Sequence, residues 1–346
     1  MILRLFLFIT LLSAAAASRA QLVILQYHHV DSSTPPSTSI SPQDFLAHLQ
    51  LLEQEQMAVV DLADAIHRIQ AGEALPGKAV AITFDDAYES IYKHAFPLLK
   101  ERHWPFTVFV NTAAVDDGYQ GIMSWDQLRE IQAGGGLIAN HSVHHPYLIE
   151  RPQNMSLDDW LTSEISVAEQ RLQDETGTSP HLLAYPYGEF DLAIAGWLKD
   201  KGYLAFGQQS GPVGPLSHPQ ALPRFPAAGV YADTRTLRTK LYTLAFAISP
   251  DQVQNPVLSG AQLPSLSLTF PAVDIYPSQL QCFASGEGSI PTQTTISGSL
   301  VTLTASATQP ISGGRSRYNC TAPSKSHKGW YYWYSQLWIN PLVSNR

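Results

Sequence analysis

The chain has 346 residues, of which 45% are hydrophobic and 14% are charged, and its formal net charge at pH 7 is −8. This length allows one large domain with a smaller one, or a single large barrel, and the apolar fraction supports a substantial core. An acidic chain repels phosphate groups, so the composition argues against a nucleic-acid partner. A low charged fraction is instead expected of an exported protein whose partners are neutral and rich in hydroxyl groups.

The first residues are typical of a secretory signal peptide, which we predict over residues 1–20. Arg4 provides the positive start, residues 5–12 form a short apolar run, and residues 13–18 are all small. The alternative is an uncleaved membrane anchor, but the apolar run is shorter than the ~20 residues that a span needs. We therefore expect an exported protein, periplasmic or secreted, without a transmembrane segment once the signal is removed.

The pattern that follows alternates between short apolar strands and helices. Strands are predicted at residues 22–25, 58–60, 79–84, 107–110, 137–140, 182–185 and 204–206. The first helix is predicted to begin at Pro42, with Ser41 as its N-cap, and later helices at residues 62–70, 90–102, 125–132, 157–175 and 192–201. Repeated βα units favour a parallel sheet, open or closed into a barrel, with chemistry at the carboxyl ends of the strands.

The composition shifts after about residue 249, where Pro, Ser, Gln and Thr become frequent and helical periodicity stops. Strands are predicted at residues 294–297 and 300–304, with a turn between them. We therefore divide the chain after the signal into an α/β domain at residues 21–248 and a small β-rich module at residues 255–346.

Two features of the β-rich module leave alternatives open. Cys282 and Cys320 could form a disulfide or remain two buried thiols, and the expected export favours the disulfide. The aromatic run at residues 330–334, with Trp338, is expected to pack one face on the core. The other face could be a platform that stacks on sugar rings, so the module is a candidate glycan-binding element.

Two adjacent carboxylates, Asp85 and Asp86, end the predicted strand 79–84. Neighbouring carboxylates repel each other, so a cation or a proton normally relieves such a pair. Adjacent residues of a strand point in opposite directions, but this rule relaxes at a strand end, where the two carboxylates can take separate roles. The alternative is a solvated turn or a helix cap.

His141 and His145 follow the predicted strand 137–140. One helical turn would place two residues at this spacing on the same face, which suits metal chelation, although the same spacing occurs on ordinary helix surfaces. His144 would point elsewhere and is interpreted as a surface or supporting residue. With one carboxylate of the aspartate pair, the two histidines would leave positions for water and substrate on Zn²⁺ or another divalent ion. The other carboxylate would be free to act as a base.

These motifs resemble those of a known family. Residues 83–86 (Thr-Phe-Asp-Asp) and 141–145 (His-Ser-Val-His-His) look like the first two signatures of the polysaccharide deacetylases, carbohydrate esterase family 4. Residues 184–188 (Ala-Tyr-Pro-Tyr-Gly) resemble the third signature. Residues 25–30 (Leu-Gln-Tyr-His-His-Val) are similar to the start of the branch that deacetylates poly-β-1,6-N-acetylglucosamine. The resemblance covers roughly residues 22–230 and implies a distorted (β/α) barrel.

The resemblance implies a role for each matching residue. Asp85 would be the general base that activates the attacking water, and Asp86 would bind the metal together with His141 and His145. The backbone N–H of Tyr187 would help to hold the oxyanion of the tetrahedral intermediate.

A histidine would protonate the leaving amine, and two histidines are candidates. In the branch named above the acid histidine comes from the opening strand, which makes it His28 in this chain. The alternative is His218, which lies in a Leu-Ser-His run like that of the family's late signature but precedes Arg224 and is surrounded by Gly and Pro. We therefore expect His28 to be the acid and interpret His29 as a packing residue.

One position departs from the family pattern. The third signature usually carries an arginine two residues before its proline, and that arginine orients the base, but this chain has Ala184 there. Arg224 is the expected substitute, because a bidentate guanidinium could hold Asp85 from another strand. The alternative for Arg224 is an ordinary surface residue at a proline-rich turn.

The resemblance therefore predicts hydrolysis of N-acetyl groups from an N-acetylglucosamine-containing polysaccharide or oligosaccharide, with release of acetate. Zn²⁺ is the expected metal, and Co²⁺ and Ni²⁺ are alternatives. Because of Ala184, the alternative function is a catalytically weak glycan-binding protein that keeps the fold. A metal hydrolase of peptide or ester bonds ranks last, because the chain lacks a His-Glu-x-x-His motif.

Overall fold

The structure, a computed structural model, describes residues 21–259, 263–311 and 313–343. The predicted signal peptide, residues 1–20, lies outside the described residues. None of the described helices combines the length and the apolar character needed to cross a bilayer.

A parallel β-sheet forms the centre of residues 21–259. The order of its strands across the sheet is Phe225–Pro226, Leu22–Tyr27, Ala79–Phe84, Phe106–Val110, Gly136–Asn140, Leu182–Ala184 and Leu204–Phe206, and Ala58–Val59 also pairs with Ala79–Phe84. The strands are mostly apolar and almost fully buried, as expected for parallel strands that are covered on both faces.

The chain around Leu222 joins the two edges of this sheet. Leu222 forms an isolated parallel bridge with Phe206, and shortly afterwards Phe225 pairs with Leu25 of the first strand. The sheet therefore curls into a distorted β/α barrel, which confirms the predicted fold. The carboxyl ends of its parallel strands meet at one end of the barrel, where a site can be assembled from separate strands.

Helices connect the strands and cover the sheet. Within the described chain they are Pro42–Gln54, Leu62–Gln70, Phe96–Glu101, Thr112–Asp116, Trp125–Ala133, Leu157–Leu161, Val167–Thr176, Leu192–Asp200 and Thr234–Leu241. The first one begins as predicted, because Ser41 Oγ accepts a hydrogen bond from the Asp44 N–H and Pro42 occupies the first turn.

Two predicted helices contain a π-helical segment that the sequence pattern did not indicate. Ile91–Ala95 is π-helical where it meets a helix whose second residue is Pro97, and proline has no N–H to continue the α-helical hydrogen bonds. The second segment, Thr162–Ser166, interrupts the predicted helix 157–175. It supports the loop that carries the predicted metal-binding histidines, as described below.

The C-terminal residues form two further sheets, and the strands predicted there are present. One sheet has the order Thr243–Ala245, Tyr331–Ile339, Arg315–Pro323, Gln281–Ala284 and Gly288–Ile290. The other has the order Ser265–Pro271, Leu300–Ser306 and Thr292–Ser297. Cys282 and Cys320 are directly opposite each other on neighbouring strands of the first sheet and form a disulfide.

The first of these C-terminal sheets packs on both of its faces. Tyr332 and Trp338 lie on one face, inside the core of the module itself. Leu337 lies on the opposite face and is buried together with barrel residues. Trp333 is also on that face and contacts Phe225 of the barrel with the two rings edge to face. Much of the aromatic run therefore takes part in packing, and the module lies directly against the barrel.

Candidate metal centre

The ends of two barrel strands place the predicted metal ligands. Asp85 and Asp86 follow the strand Ala79–Phe84, and His141 follows the strand Gly136–Asn140. Asp86 has a φ of 70°, in the left-handed region that non-glycine residues seldom adopt. This turn ends the strand alternation, so the carboxylates of two adjacent residues both face the carboxyl end of the barrel.

One carboxylate and two imidazoles converge at that end. Asp86 Oδ1 lies 3.3 Å from His141 Nε2 and 3.4 Å from His145 Nε2. One ligand atom from each of these three residues lies within 4.8 Å of the other two. The described residues thus contain the two-histidine and one-carboxylate set that the sequence predicted.

The predicted local structure of the histidines was wrong. His141 and His145 lie in an irregular loop and not on one helical turn, and both Ser142 and His145 have positive φ. The loop folds this way because neighbouring groups satisfy its backbone. The Ser142 N–H donates to Asn140 Oδ1 at 2.8 Å, and the His145 N–H donates to Ser142 Oγ at 2.9 Å.

The π-helical segment Thr162–Ser166 holds the same loop from outside. The Glu164 carbonyl accepts a hydrogen bond from the Val143 N–H, and the Ile165 carbonyl accepts one from Asn140 Nδ2. The carboxylate of Glu164 binds the ring and the backbone N–H of His144, which therefore supports the loop and does not face the metal ligands. π-Bulges are frequent at functional sites, and this one supports the loop of the candidate ligands.

The tautomer of His141 fits metal binding. His141 Nδ1 lies 2.7 Å from the carbonyl oxygen of Ala184, which can only accept, so Nδ1 carries the proton. In the neutral ring, the form that a metal requires, the lone pair is then on Nε2, the atom that faces Asp86. A hydrogen bond from the far ring nitrogen to a backbone carbonyl is the usual way in which a metal-binding histidine is oriented. The residues present therefore fit a divalent cation.

Burial and charge set the ionisation of these groups. Burial alone would raise the pKa of Asp86, but the hydrogen bond and the charges from His141, His28 and His145 lower it well below the usual range. Burial and repulsion from His141 lower the pKa of His145 to about 4. Near neutral pH the site therefore holds an ionised carboxylate and a neutral His145, which are the states that bind a metal.

Asp85 is held separately, as the sequence analysis anticipated for Arg224. Both residues are fully buried, and Arg224 Nη1 and Nη2 lie 2.7 and 2.8 Å from the two Asp85 carboxylate oxygens. Gln26 Nε2 donates a further hydrogen bond to Asp85 at 2.7 Å. Burial would raise the pKa of Asp85, but the charges of Arg224, His141 and His28 lower it to about 2. Arg224 thus makes the bidentate contact with Asp85 that was expected because position 184 has no arginine.

The two candidate acid histidines lie in different places. His28 Nε2 is 3.8 Å from Asp85 Oδ2, and His28 lines the groove above the candidate metal ligands. His218 lines a separate cavity between the barrel and the C-terminal module, and its Nδ1 accepts a hydrogen bond from the Gln220 N–H. His29 stacks on Tyr88, with ring centroids 3.5 Å apart, in agreement with a packing role.

Tyr187 lies in a short turn, Pro186–Gly188, beside the histidines. Its φ is 58°, and its ring is 4.5 Å from that of His145 between centroids. Arg315 of the C-terminal module donates a hydrogen bond to the Tyr187 carbonyl at 3.0 Å. Arg315 Nε also lies 3.3 Å from the carboxylate of the fully buried Glu189. The C-terminal module therefore fixes the backbone of this turn.

A groove with a volume of about 710 Å³ opens over these residues, a size typical of ligand sites. Its lining includes Asn111, whose side-chain oxygen is buried without a hydrogen-bond partner among the described residues. Its lining also includes Arg315 and Arg317. None of these three residues was predicted from the sequence. Asn111 follows the strand Phe106–Val110, so the strand-end rule could have found it, whereas no pattern connects the two arginines with the barrel.

A distorted β/α barrel with a candidate metal site and a buried carboxylate at the carboxyl ends of its strands is an arrangement that metal-dependent hydrolases use. Residues 72–206 match the family model of the polysaccharide deacetylases. This part of the chain is therefore a polysaccharide deacetylase domain, as the motifs predicted.

The names of curated relatives agree with this domain. The chain is 26% identical over 243 residues to a poly-β-1,6-N-acetyl-D-glucosamine N-deacetylase of Escherichia coli, covering 58% of this chain and 36% of that protein. It is 27% identical over 157 residues to a protein of the same name from Staphylococcus epidermidis, covering 43% of this chain and 54% of that protein. The chain thus spans about a third to just over half of the length of these two relatives.

Solved structures support the fold. IcaB from Ammonifex degensii superposes with a TM-score of 0.56 at 26% identity, covering 63% of this chain and 96% of that one. The Streptococcus pyogenes deacetylase PplD superposes with a TM-score of 0.57 at 23% identity, covering 64% of this chain and 99% of that one. The shared part in each case is less than two thirds of this chain.

Proposed function

We propose that this protein is a metal-dependent N-deacetylase that removes acetyl groups from an N-acetylglucosamine-containing polysaccharide and releases acetate. The observation that carries the proposal is the convergence of Asp86, His141 and His145 beside a second carboxylate, Asp85, that Arg224 holds apart from them. The names of the relatives from Escherichia coli and Staphylococcus epidermidis support this substrate class.

Each residue has a physical role in the proposed reaction. Asp85, with its pKa lowered to about 2, is ionised near neutral pH and accepts the proton of the attacking water. The N–H of Tyr187 donates to the oxyanion that forms on the acetyl group. His28 donates a proton to the departing sugar nitrogen, because an amide anion cannot leave. The products are acetate and a glucosamine unit.

Asp86, His141 and His145 would hold the metal. A bound divalent cation such as Zn²⁺, Co²⁺ or Ni²⁺ supplies Lewis acidity, which lowers the pKa of water to about 7 and polarises the acetyl carbonyl. Nε2 of the neutral His141 ring and the ionised carboxylate of Asp86 would be suitable ligands for any of these ions.

The alternative, a glycan-binding protein with little catalysis, was motivated by the missing arginine at Ala184. The bidentate contact of Arg224 with Asp85 weakens this motive, because an arginine from another segment holds the proposed base. Within the proposal we also retain export to the periplasm or the medium. The disulfide between Cys282 and Cys320 supports export, because such bonds persist in oxidising compartments.

The test measures the acetate that the purified protein releases from N-acetylglucosamine oligomers, before and after the protein is treated with a chelator. We expect turnover that chelation abolishes and that added Zn²⁺ or Co²⁺ restores. Poly-β-1,6-N-acetylglucosamine, chitin oligomers and peptidoglycan fragments are compared in the same assay. If every metal-loaded preparation binds these glycans and releases no acetate, the glycan-binding alternative is correct.

A further inference from the structure

The C-terminal module contributes two cations to the groove over the candidate metal centre. Arg315 and Arg317 lie two residues apart on the strand Arg315–Pro323, so both side chains are on the same face of their sheet. The residues between and beyond them, Ser316 and Tyr318, are buried on the opposite face. Both arginines line the groove together with His28, Asp86 and Tyr187 of the barrel.

The two arginines differ in their partners. Arg315 lies against the buried carboxylate of Glu189 and donates to the Tyr187 carbonyl, so its charge is balanced and its position is fixed. The Arg317 guanidinium forms no hydrogen bond or ion pair with any other described residue, although the side chain is partly buried. Burial lowers the pKa of the Arg317 guanidinium, the nearby Tyr231 hydroxyl partly offsets this decrease, and repulsion from Arg315 adds to it.

No carboxylate that lines the groove in the described part of the chain is available to pair with Arg317. Among the described residues that line it, Asp86 is the one carboxylate, and Asp86 is the proposed metal ligand. A bound divalent cation would make the groove still more positive, in a chain whose net charge is −8. A partly buried and unpaired guanidinium carries a desolvation cost that a bound anion would relieve.

We propose that Arg317 forms a subsite for a carboxylate group on the glycan, so that the preferred substrate is an N-acetylated polysaccharide that also carries acidic sugars. A guanidinium binds a carboxylate through two parallel hydrogen bonds, which gives both affinity and orientation. The subsite belongs to the C-terminal module, so the module selects the substrate while the barrel performs the reaction. This inference depends on the proposed deacetylase function for its biological meaning.

The experiment compares two fully N-acetylated ligands that differ only in the group at C6. Chitopentaose is neutral, and the same oligosaccharide oxidised at C6 to carboxylates keeps the linkages and the N-acetyl groups. Their dissociation constants are measured by titration calorimetry with the full-length protein at low salt and at about 0.5 M NaCl. We expect the carboxylated ligand to bind at least about tenfold more tightly, with the preference shrinking at high salt.

Variants test whether Arg317 causes the preference for the carboxylated ligand. Arg317→Gln should abolish the preference, and Arg317→Lys, which keeps the charge without the planar fork, should retain part of it. The matched control is Arg235→Gln, because Arg235 is 92% exposed and does not line the groove. This variant should keep the full preference. The melting temperature of Arg317→Gln should not fall, because the guanidinium has no partner to lose, and a merely structural role would lower it.

Each outcome decides the proposal. Equal affinities for the two ligands, an unchanged preference in Arg317→Gln, or no binding of either ligand would overturn the carboxylate subsite. Acetate release from the two oligosaccharides is measured separately. A clear preference in binding, with no acetate released by any metal-loaded preparation from these ligands or from the glycans compared above, would leave the subsite standing and refute the proposed deacetylase, so the two failures are distinguishable.

Discussion

Replacing Arg224 with glutamine should destabilise the protein and disable the proposed base. Arg224 is fully buried and makes two hydrogen bonds to Asp85, one to the Gly207 carbonyl at 3.0 Å and one to Thr83 Oγ1 at 3.3 Å. Without the guanidinium, Asp85 remains a buried carboxylate whose closest remaining donor is Gln26. Removing one partner of a buried ion pair typically costs about 3–5 kcal/mol, and we expect a loss of this size in the free energy of unfolding.

The assay is chemical denaturation at pH 7 of the wild type, Arg224→Gln, Asp85→Asn and the double variant. In the double variant no uncompensated charge is left, so a coupling energy of about 2–3 kcal/mol should appear between the two sites. A loss below about 1 kcal/mol for Arg224→Gln, together with additive effects in the double variant, would refute the reasoning.

The same variant tests the ionisation of Asp85. Burial raises the pKa of this carboxyl, but the charges of Arg224, His141 and His28 together lower it to about 2, so removal of Arg224 must raise that pKa. A base with a higher pKa becomes protonated at a higher pH, and the acidic limb of the pH profile of kcat/KM should shift upward. The profile is measured on N-acetylglucosamine oligomers with Arg224→Lys, in which a positive charge remains, as the matched control. An unshifted limb in Arg224→Gln would show that Asp85 is not the base.

Three further predictions concern single groups. Asp85→Asn should lower kcat at least about 10²-fold and keep the bound metal, whereas Asp86→Asn should lose the metal. Elemental analysis of the purified variants measures the bound metal. Loss of metal in Asp85→Asn would mean that the two roles are exchanged. His28→Ala should reduce turnover of N-acetylglucosamine oligomers more than turnover of an aryl acetate, whose leaving group needs no proton, and equal losses would exclude His28 as the acid. Replacing Cys282 and Cys320 with serine should cost about 4 kcal/mol in the free energy of unfolding, because the disulfide spans 38 residues, and an unchanged denaturation midpoint would contradict this value.

The fold could be predicted largely from local pattern. The helix Leu62–Gln70 and the strands Ala79–Phe84 and Leu204–Phe206 occur with the predicted bounds. The helix has a clear apolar period, and each strand is a short apolar run with a clear stop signal after it. The short helix Thr112–Asp116 was not predicted, because a single turn carries no periodicity. The π-helical segment Thr162–Ser166 was not predicted either, because its hydrogen bonds to the distant histidine loop leave no signal in the local sequence.

Within the candidate site, the sequence predicted only the residues that belong to recognised motifs or follow predicted strands. Asp86 and His141 follow strands, so their meeting at one end of the barrel follows from parallel topology. The position of His145 was expected for the wrong reason, since a loop and not a helix presents it. Arg315 and Arg317 could not be foreseen, because the packing of the C-terminal module on the barrel leaves no signal in the local sequence.

The most direct test of this account is a crystal structure of the protein grown with Co²⁺ and measured at the cobalt absorption edge. The account predicts one anomalous peak in the groove, within bonding distance of Asp86, His141 and His145, with the Asp85 carboxylate outside bonding distance and still held by Arg224. A cation bound by Asp85, or no cation at these three residues, would contradict it.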